Sequence, residues 1–467
     1  MKKFCALCLA LLLLLCNMPV LAADVSDASV TAGCNSLDGQ VPLLGTGQLI
    51  SNAQSVVLYE TNTDSMMYAY NADEQVGPAS LLKILTALIA IEKGNMDDVV
   101  TVRQEVLSTL DPDAAVVELV PDEVLTVKDL LYCMMVASGN DAAVILADHV
   151  MGDQQAFVEE MNRYASELGC TGTNFTNVHG LHDDSQYTTA RDMGRILVHA
   201  LKNEAFCELF GTKYYNVPKT NKSDIRYLET QNYLINNDRV IIHYDERVTG
   251  SRTAVNPDQT RSIASVAQLN DMELICVVIG AKSQFEADGY SVKVFGGYDE
   301  TRELFDMGFT GYKTAQILQP DQVLQQTAVM NGDCDISIGT RSGARCVIPA
   351  NMDINGLSFR YANETPLTAP LEKGQKLSDL QVYYGSVCVA QTETYAMNSV
   401  RVAGTVFTDS NNGNGGVGIL TVVLYVIGGI FVLVLSSFIV LFLLRSSRIA
   451  KMKRQSRRNS RNRRRSR

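Results

Sequence analysis

The sequence predicts an α/β sandwich built on an antiparallel sheet, because strand-like runs stand at both ends of a region whose middle is helical. Two such runs, residues 55–60 and 65–70, flank the turn residues Thr61-Asn-Thr-Asp64. Three more follow much later in the chain, at 248–253, 261–269 and 273–280. Helices inserted between the two groups must cover a sheet, which favours pairing between the first and last strands.

The predicted helices have clear starts and stops. One begins after Pro78 and ends near Gly94, and its apolar residues extend all the way round, which is typical of a helix buried in a large core. Thr126-Val-Lys-Asp129 has the form of a capping box at the start of another, and Ser138-Gly-Asn140 ends that helix. Further helical periodicity occurs at 154–168, 189–201 and 298–307.

Beyond residue 313 the pattern changes to short β-like runs with turn residues, which predicts a separate small β domain. A polar, glycine-rich stretch follows, and after it come 28 uncharged residues, enough to cross a bilayer as one helix. The predicted organisation is a signal peptide at 1–22, the α/β domain at 24–313, the β-rich domain at 314–401, a linker at 402–416, a transmembrane helix at 417–444 and a basic tail at 445–467.

Residues flanking the two apolar segments predict where the protein lies. Lys2 and Lys3, an apolar core and the small residues Val20-Leu-Ala-Ala23 form a secretory signal peptide with its cleavage site. The tail after the transmembrane segment has twelve Lys or Arg and no acidic residue, and such tails stay in the cytoplasm. We therefore expect a single-pass cell-membrane protein whose folded domains are extracellular. Binding of the tail to nucleic acid is the alternative that a basic run also allows.

The net charge of −11 conceals a very uneven distribution of charge along the chain. The tail and the two signal-peptide lysines hold fourteen positive charges, so the remainder carries −25. A region this acidic is unsuited to nucleic acid or anionic lipid, and its partner is expected to be neutral or to carry cationic groups. The motifs H-E-x-x-H and G-x-S-x-G are absent from the sequence, which removes the usual marks of zinc peptidases and α/β-hydrolases. No metal or organic cofactor is implied.

Eight cysteines follow the signal peptide without metal-ligand spacing. Several, such as Cys133 and Cys276, lie in apolar runs, so buried thiols are the default expectation. Cys334 and Cys346 are placed so that they could form a disulfide across a hairpin.

Ser80-Leu-Leu-Lys83 is the only S-x-x-K of the chain and lies at the start of the first predicted helix. Residues three apart on a helix share one face, with Cβ atoms about 5–6 Å apart. A lysine at the mouth of an apolar helix is partly desolvated, which lowers its pKa and favours the neutral amine. A neutral amine beside a hydroxyl is a general base beside a nucleophile. The alternative is that Lys83 reaches solvent and Ser80 is an ordinary residue at a helix N-terminus.

Three motifs together resemble those of a known family. They are Pro78-Ala-Ser-Leu-Leu-Lys83, the loop Ser138-Gly-Asn140 between two helices, and His179-Gly-Leu181 followed by Gln186-Tyr-Thr-Thr-Ala-Arg-Asp-Met193. On these residues the chain over 56–309 is similar to the low-molecular-mass penicillin-binding proteins, and more narrowly to serine-type D-alanyl-D-alanine carboxypeptidases. The resemblance implies a β-lactamase-like sandwich with a central antiparallel sheet and a helical subdomain, followed by a β domain and a C-terminal membrane anchor.

The resemblance also implies a mechanism. Ser80 would attack the penultimate D-Ala carbonyl of a peptidoglycan stem peptide while Lys83 takes its proton, and β-lactams would be trapped as inhibitors on the same serine. Ser138 would relay a proton to the leaving amine, and Asn140 would bind the substrate backbone. On their residue types alone, Ser138-Gly-Asn140 could instead be only an interhelical turn, and His179 and His182 are expected to shape a loop rather than act as bases.

The third motif of the family, K-T-G, is altered in this chain. Its strand is expected to contain Val248, Thr249 and Gly250, so valine stands where the lysine belongs. In the family that lysine lies near the terminal carboxylate of the substrate and near the serine–lysine pair. The resemblance places Thr249, Gly250, Ser251 and Arg252 along the substrate, and one amide from residues 248–251 would complete the oxyanion hole.

Two arginines could replace the missing lysine. Alternation along the strand turns Arg247 away from the cleft if Val248 faces in, unless a β-bulge re-aims it. Arg252 would lie on the same face as Val248, but about 13 Å further along the strand. The sequence therefore allows three alternative functions. They are a carboxypeptidase, a catalytically impaired wall-binding or scaffold protein of the same fold, and a β-lactamase that shares Ser80 and Lys83.

Overall fold

A computed structural model describes residues 52–404 apart from 239–240, 257, 286, 288–291 and 363–365. The predicted signal peptide, transmembrane helix and basic tail lie outside the described residues. Within this part of the chain, no helix combines the length and the apolarity that a membrane span requires.

The α/β domain consists of eleven strands and eight helices in the described residues. The strands are β1 (Ser55–Glu60), β2 (Ser65–Tyr70), β3 (Val99–Thr101), β4 (Val124–Thr126), β5 (Tyr214–Val217), β6 (Arg226–Glu229), β7 (Val248–Val255), β8 (Arg261–Leu269), β9 (Met272–Ala281), β10 (Gln284–Phe285) and β11 (Val292–Val294). The helices are α1 (Lys83–Lys93), α2 (Gln104–Leu107), α3 (Val127–Val136), α4 (Asn140–Met151), α5 (Gln154–Glu167), α6 (Ala190–Ala200), α7 (Glu204–Phe210) and α8 (Tyr298–Gly311). A 3₁₀ turn, Ala79–Leu82, leads into α1, so the helix predicted to begin at Ser80 begins at Lys83.

Five strands form the central antiparallel sheet, in the order β2-β1-β9-β8-β7. The pairing of β1 with β9, with Leu58 opposite Cys276, confirms the prediction that the first and last strands meet. β7 lies at one edge of this sheet. An edge strand presents backbone N–H and C=O groups to a partner, and an extended peptide can pair with it.

The two faces of the sheet bury separate apolar cores. Along β9 the side chains alternate, so that Ile275 and Val277 join the core beneath the helices while Cys276 and Val278 join the core beneath α8. The first two turns of α1 are wholly buried in the core beneath the helices, as its apolar sequence predicts.

The C-terminal region of the described chain is a small β domain. Its strands are β12 (Tyr312–Leu318), β13 (Val323–Thr327), β14 (Ile336–Gly339), β15 (Ala344–Pro349), β16 (Leu357–Tyr361), β17 (Lys376–Tyr384) and β18 (Val387–Ala396). They form a two-stranded sheet, β12-β15, and a five-stranded sheet, β13-β14-β18-β17-β16. Cys346 is a fully buried free thiol, so the disulfide suggested for Cys334 and Cys346 is absent.

Of a second unit of the chain, the structure describes residues 331–333 and 401–404. Within it, Gly332 and Val402 form an antiparallel bridge.

Candidate active site

Ser80 lies half-buried in the 3₁₀ turn that precedes α1. The residue before it, Ala79, has a φ of 43°, a left-handed conformation that a non-glycine residue rarely adopts. Gly180 packs against this turn, since a Cβ on Gly180 would lie 2.2 Å from the Ala79 carbonyl oxygen and 2.8 Å from the Ser80 amide nitrogen. Gly180 itself has a φ of 91°. The strained turn is therefore held by a contact that only glycine can make.

Lys83 is the first residue of α1 and is fully buried. Its amine is 2.8 Å from the Ser138 carbonyl oxygen, 3.1 Å from Ser138 Oγ and 2.5 Å from Asn140 Oδ1. The alternative in which Lys83 reaches solvent is therefore wrong. Burial holds the pKa of Lys83 well below its usual value, the charge of Arg252 lowers it further, and the charge of Asp141 opposes both.

Ser80 and Lys83 are one helical turn apart, but in the described structure Ser80 Oγ has no hydrogen bond to the Lys83 amine. Ser138 Oγ is the hydroxyl that the amine contacts. A rotation about the Ser80 side chain, or a relay through Ser138, has to complete the path of the proton. Catalytic hydrogen bonds commonly tighten only when substrate is bound.

The loop Ser138-Gly-Asn140 joins α3 to α4 and carries two of the side chains around the Lys83 amine. Ser138 has a φ of 63°, again in the left-handed region. The Asn140 backbone N–H donates to the Ala115 carbonyl, and the Asp141 carboxylate accepts hydrogen bonds from the backbone N–H groups of Val117 and Leu119. These bonds anchor the loop from its far side. A polar break between two apolar helices is the signal in the sequence that identifies this loop.

Arg252 is the cation that the structure places beside these groups. Its guanidinium donates to Ser138 Oγ at 2.7 Å, to the Met135 carbonyl at 2.6 Å, to the Ser80 carbonyl at 3.3 Å and to the Met134 carbonyl at 3.4 Å. The residue is only 4% exposed. Burial lowers the pKa of Arg252 to about 10, so it remains cationic at neutral pH.

Val248 lies on the opposite face of the sheet from these groups. A β-bulge between Val248 and Gly250 shifts the register of β7 against β8, and Val248 packs into the core beneath α8. Arg252 faces the helices instead, where it meets α3 and the Ser80 turn. The prediction that Val248 and Arg252 share a face is therefore wrong, because a bulge interrupts the alternation of side chains.

Arg247, the other arginine considered as a replacement, is held away from Ser80. Its guanidinium forms ion pairs with Asp245 and Asp306, each with an N–O distance of 2.6 Å. The bulge exists, but it does not turn Arg247 into the cleft. Arg252 is the residue that stands beside the serine–lysine pair.

Three other residues predicted to bind substrate make different contacts. Thr249 is exposed. The atoms nearest to a Cβ on Gly250 would be those of the Phe210 ring, at 2.4 Å. The Ser251 hydroxyl is buried and accepts a hydrogen bond from the Asn232 amide at 2.8 Å. None of these side-chain contacts involves Ser80, Lys83 or the Ser138 loop.

The segment beside the nucleophile is Arg252-Thr253-Ala254, a residue combination that the sequence interpretation missed. It has a cation, a threonine and a small residue, in the same chemical order as K-T-G. The signal is present in the sequence, four residues after Val248. The match of Arg252-Thr253-Ala254 to K-T-G is easily overlooked because Thr249-Gly250 also fits the last two residues of that motif.

His179 shapes its own loop. Its Nδ1 accepts a hydrogen bond from the Leu181 amide at 3.2 Å. Burial lowers the pKa of His179 to about 4, so the ring is neutral at pH 7. Among the described residues there is also no cluster of three or more His, Cys, Asp or Glu that could hold a metal ion.

Two family models match the chain. Residues 45–283 match the S11 peptidase family, described as D-alanyl-D-alanine carboxypeptidase, and residues 312–402 match the C-terminal domain of penicillin-binding protein 5.

Curated relatives and solved structures agree with these matches. The chain is 29% identical over 365 residues to D-alanyl-D-alanine carboxypeptidase DacC of Escherichia coli, covering 76% of this chain and 85% of the relative. It is also 29% identical to DacF of Bacillus subtilis, over 77% of this chain and 88% of the relative. Penicillin-binding protein 5 of Haemophilus influenzae has a similar structure, with a TM-score of 0.63 and 28% identity over 76% of this chain and the whole of that one.

Proposed function

The chain belongs to the S11 family of D-alanyl-D-alanine carboxypeptidases, and from that membership we propose that it removes the terminal D-Ala of peptidoglycan stem peptides through an acyl-enzyme on Ser80. One observation carries the assignment of the site. The Lys83 amine and the Arg252 guanidinium both contact Ser138 Oγ, at 3.1 Å and 2.7 Å, directly behind the Ser80 turn.

The first half of the reaction requires a base that is uncharged at neutral pH. The buried Lys83 amine fits, because desolvation and the neighbouring Arg252 cation both disfavour its protonated form. Ser80 Oγ attacks the carbonyl of the penultimate D-Ala, and its proton passes to the Lys83 amine directly or through Ser138 Oγ. The C–N bond then breaks, the proton returns to the leaving D-Ala amine, and water later hydrolyses the ester.

Ser138 is suited to a relay. Its oxygen accepts a hydrogen bond from Arg252. A neutral Lys83 amine has two N–H groups, which the Ser138 carbonyl and Asn140 Oδ1 accept, so its lone pair is left to face the Ser138 hydroxyl 3.1 Å away. Ser138 can therefore exchange a proton with the Lys83 amine and pass one to a leaving amine. Asn140, whose Oδ1 accepts from Lys83, keeps its amide hydrogens available for the substrate backbone.

The oxyanion hole comprises the Ser80 amide and one amide of β7. Because Arg252 rather than Val248 faces the nucleophile, we assign the second donor to residues 253–255 instead of residues 248–251. Each donor of this kind contributes about 3 kcal/mol to stabilisation of the transition state.

The arrangement of Arg252 bears on the catalytically impaired alternative. That alternative rested on the loss of a cation from the third motif, and Arg252 supplies a buried cation within hydrogen-bonding distance of both Ser80 and Ser138. An arginine differs from a lysine in being charged throughout the working pH range, so it cannot itself act as a base.

We propose further that the protein is secreted and tethered to the cell membrane by residues 417–444, with the folded domains outside and residues 445–467 inside. The support is in the sequence: an N-terminal segment with the form of a signal peptide, 28 uncharged residues, and a tail of twelve basic residues directly after them. The substrate is then a cell-wall peptide reachable from the membrane surface.

The test is to incubate the full-length protein with a fluorescent penicillin, beside a Ser80→Ala variant, and to measure D-Ala release from a peptide ending in D-Ala-D-Ala. Serine-dependent labelling together with D-Ala release is the expected result. Absence of both would favour the scaffold protein. Rapid recovery of unlabelled protein with hydrolysed penicillin would favour the β-lactamase.

A further inference from the structure

A groove lies between the β1–β2 turn and the β domain, two regions that belong to the same compact unit of the chain. Its walls are residues 61–64 of that turn, residues 342–345 at the start of β15 and residues 389–392 of β18, and its volume is about 370 Å³. Small-molecule sites commonly have volumes of about 300–1,000 Å³ and occur at domain junctions. The groove is therefore large enough to hold a ligand, and the chemistry at Ser80 makes no use of it.

The groove lies towards the edge of the central sheet that is opposite to the catalytic site. β2 is one edge strand, whereas β7, which carries Arg252, is the other. Neighbouring strands are about 4.8 Å apart, so β2 and β7 are separated by roughly 19 Å. A ligand in the groove would leave Ser80 accessible to another part of the same molecule.

The walls of the groove are held in place. Gly343 has a φ of 72°, and a Cβ on it would lie 2.3 Å from the Leu318 carbonyl oxygen, so this turn requires glycine. Arg345 forms an ion pair with the Asp271 carboxylate at 2.6 Å, and Asn62 Nδ2 donates to the Asp271 carbonyl at 3.3 Å. The β8–β9 turn thus joins both walls, and little ordering is needed when a ligand binds.

The hydroxyl protons of the threonines that line the groove are already used within the protein. Thr61 Oγ1 donates to the Glu273 carboxylate at 2.7 Å, and Thr392 Oγ1 donates to the Gly343 carbonyl at 3.0 Å. Thr63 Oγ1 donates to the carboxylate three residues before it. A hydroxyl oxygen that has donated its proton still has lone pairs that can accept. The threonines therefore offer a ligand hydrogen-bond acceptors.

The other groups of the groove fit the same kind of ligand. The charge of Arg345 is neutralised by Asp271, so the groove does not attract anions through it. Asp64, which accepts a hydrogen bond from the Tyr59 hydroxyl, adds a carboxylate that can accept from two neighbouring hydroxyls of a ligand. Three buried apolar side chains also line the groove: Ala344, Val389 and Ala390. Acceptors beside an apolar surface suit a neutral ligand that has many O–H or N–H donors and C–H faces, which is the chemistry of an amide-substituted sugar.

We propose that this groove binds the saccharide part of the cell-wall polymer whose stem peptides are cleaved at Ser80. The inference rests on the proposed function, since the stem peptide is attached to a chain of amide-substituted sugars. A second contact with the same polymer raises the effective concentration of its peptides at the catalytic site without any new contact there. The two sites lie towards opposite edges of one sheet, so both can be occupied together.

The binding test uses the full-length protein in detergent micelles and the tetramer of N-acetylglucosamine, observed by saturation-transfer NMR of the sugar. Ser342 is exposed in one wall, so Ser342→Tyr fills the groove, whereas Asn62→Ala removes a polar group from the other wall without adding bulk. Ser358→Tyr is the matched control, because Ser358 is an exposed serine on β16 of the same domain, outside the groove. Tetralysine is tested in parallel as a cationic ligand for Asp64.

The catalytic test compares D-Ala release from a soluble pentapeptide with release from glycan strands that carry the same pentapeptide. We expect Ser342→Tyr and Asn62→Ala to lose about tenfold in kcat/KM on the strands, mostly through KM, and to bind the tetramer correspondingly more weakly. The rate on the soluble pentapeptide should stay at the wild-type value, which also shows that each variant is folded. Ser358→Tyr should behave as wild type throughout.

Three results would overturn the inference: no tetramer signal with the wild type, tetramer binding by Ser342→Tyr and Asn62→Ala equal to that of the wild type, or a signal from tetralysine alone. A wild type that binds the tetramer through the groove but releases D-Ala from neither substrate would overturn the proposed function and leave the saccharide site in place.

Discussion

At the scale of single residues, the site is organised around one hydroxyl oxygen. Ser138 Oγ lies 3.1 Å from the Lys83 amine and 2.7 Å from an Arg252 nitrogen. Two full positive charges this close together in a buried site repel each other, and the group with the lower intrinsic pKa releases its proton. An amine releases its proton more readily than a guanidinium, so the neutral member of the pair is Lys83.

Replacing Arg252 with glutamine should therefore move the pH dependence of acylation. The Arg252 charge lowers the pKa of Lys83. Without that charge the pKa of Lys83 rises, and the pH at which half of the amines are neutral rises with it. We expect the acid limb of the acylation rate, measured with a fluorescent penicillin from about pH 5 to pH 11, to shift to higher pH.

Two controls belong with this measurement. Arg252→Lys keeps a cation and should shift the limb less than Arg252→Gln. Arg247→Gln removes a charge that is neutralised by two aspartates and should leave the profile in place. An unchanged midpoint in Arg252→Gln would show that Arg252 does not control the protonation of Lys83.

At the scale of elements, the Ser80 turn shows how local strain is held by a neighbouring segment. Ala79 adopts a left-handed conformation that costs roughly 1–3 kcal/mol. Gly180 packs so closely against the turn that Ala79 has no room to adopt an unstrained backbone conformation, since a Cβ on Gly180 would lie only 2.2 Å from the Ala79 oxygen. The segment His179-Gly-Leu181 is thus a structural support for the nucleophile.

Gly180→Ala should lose both stability and acylation, because its Cβ would collide with the backbone of the Ser80 turn. Gly169→Ala is the matched control: Gly169 has a φ of 75°, but nothing lies within 4 Å of its would-be Cβ. We expect about 1 kcal/mol of destabilisation and normal labelling from Gly169→Ala, and a larger destabilisation with loss of labelling from Gly180→Ala. Thermal unfolding and fluorescent-penicillin labelling measure the two effects. Equal behaviour of the two variants would contradict the supporting role of Gly180.

The elements also show where sequence reasoning succeeded and where it could not. Apolar periodicity was enough for α1, and the polar break was enough for the Ser138 loop, because both depend on local composition. The prediction of which residues form the third motif failed because it depended on the register of β7. A bulge between Val248 and Gly250 inverts which residues face the helices, and nothing in the alternation of the sequence indicates a single inserted residue.

At the scale of the whole molecule, the two terminal groups of strands meet in one sheet as the sequence predicts, and a β domain follows. An ion pair of 2.6 Å between Asp271 and Arg345 joins the β8–β9 turn to β15. Both partners are exposed, so this pair contributes little to stability. The separation of charge between an acidic remainder and a basic tail belongs to this scale too, because it is visible only over hundreds of residues.

Removal of residues 403–467 should release the protein from the membrane. The deleted segment contains the 28 uncharged residues and the basic tail that we assign to the anchor. We expect the full-length protein in the membrane fraction and the truncated protein in the soluble extracellular fraction, with equal penicillin labelling of both. Equal recovery of the two proteins from the membrane fraction would contradict the anchor.

The central claim is that a neutral Lys83 amine activates Ser80. The most direct measurement is the acylation rate of the wild-type protein by a β-lactam as a function of pH, with the adduct located on the peptide that contains Ser80 by mass spectrometry. The account predicts a rate that reaches its plateau well below the ordinary lysine pKa of 10.5. A rate that begins to rise only near that value, or an adduct on another residue, would contradict it.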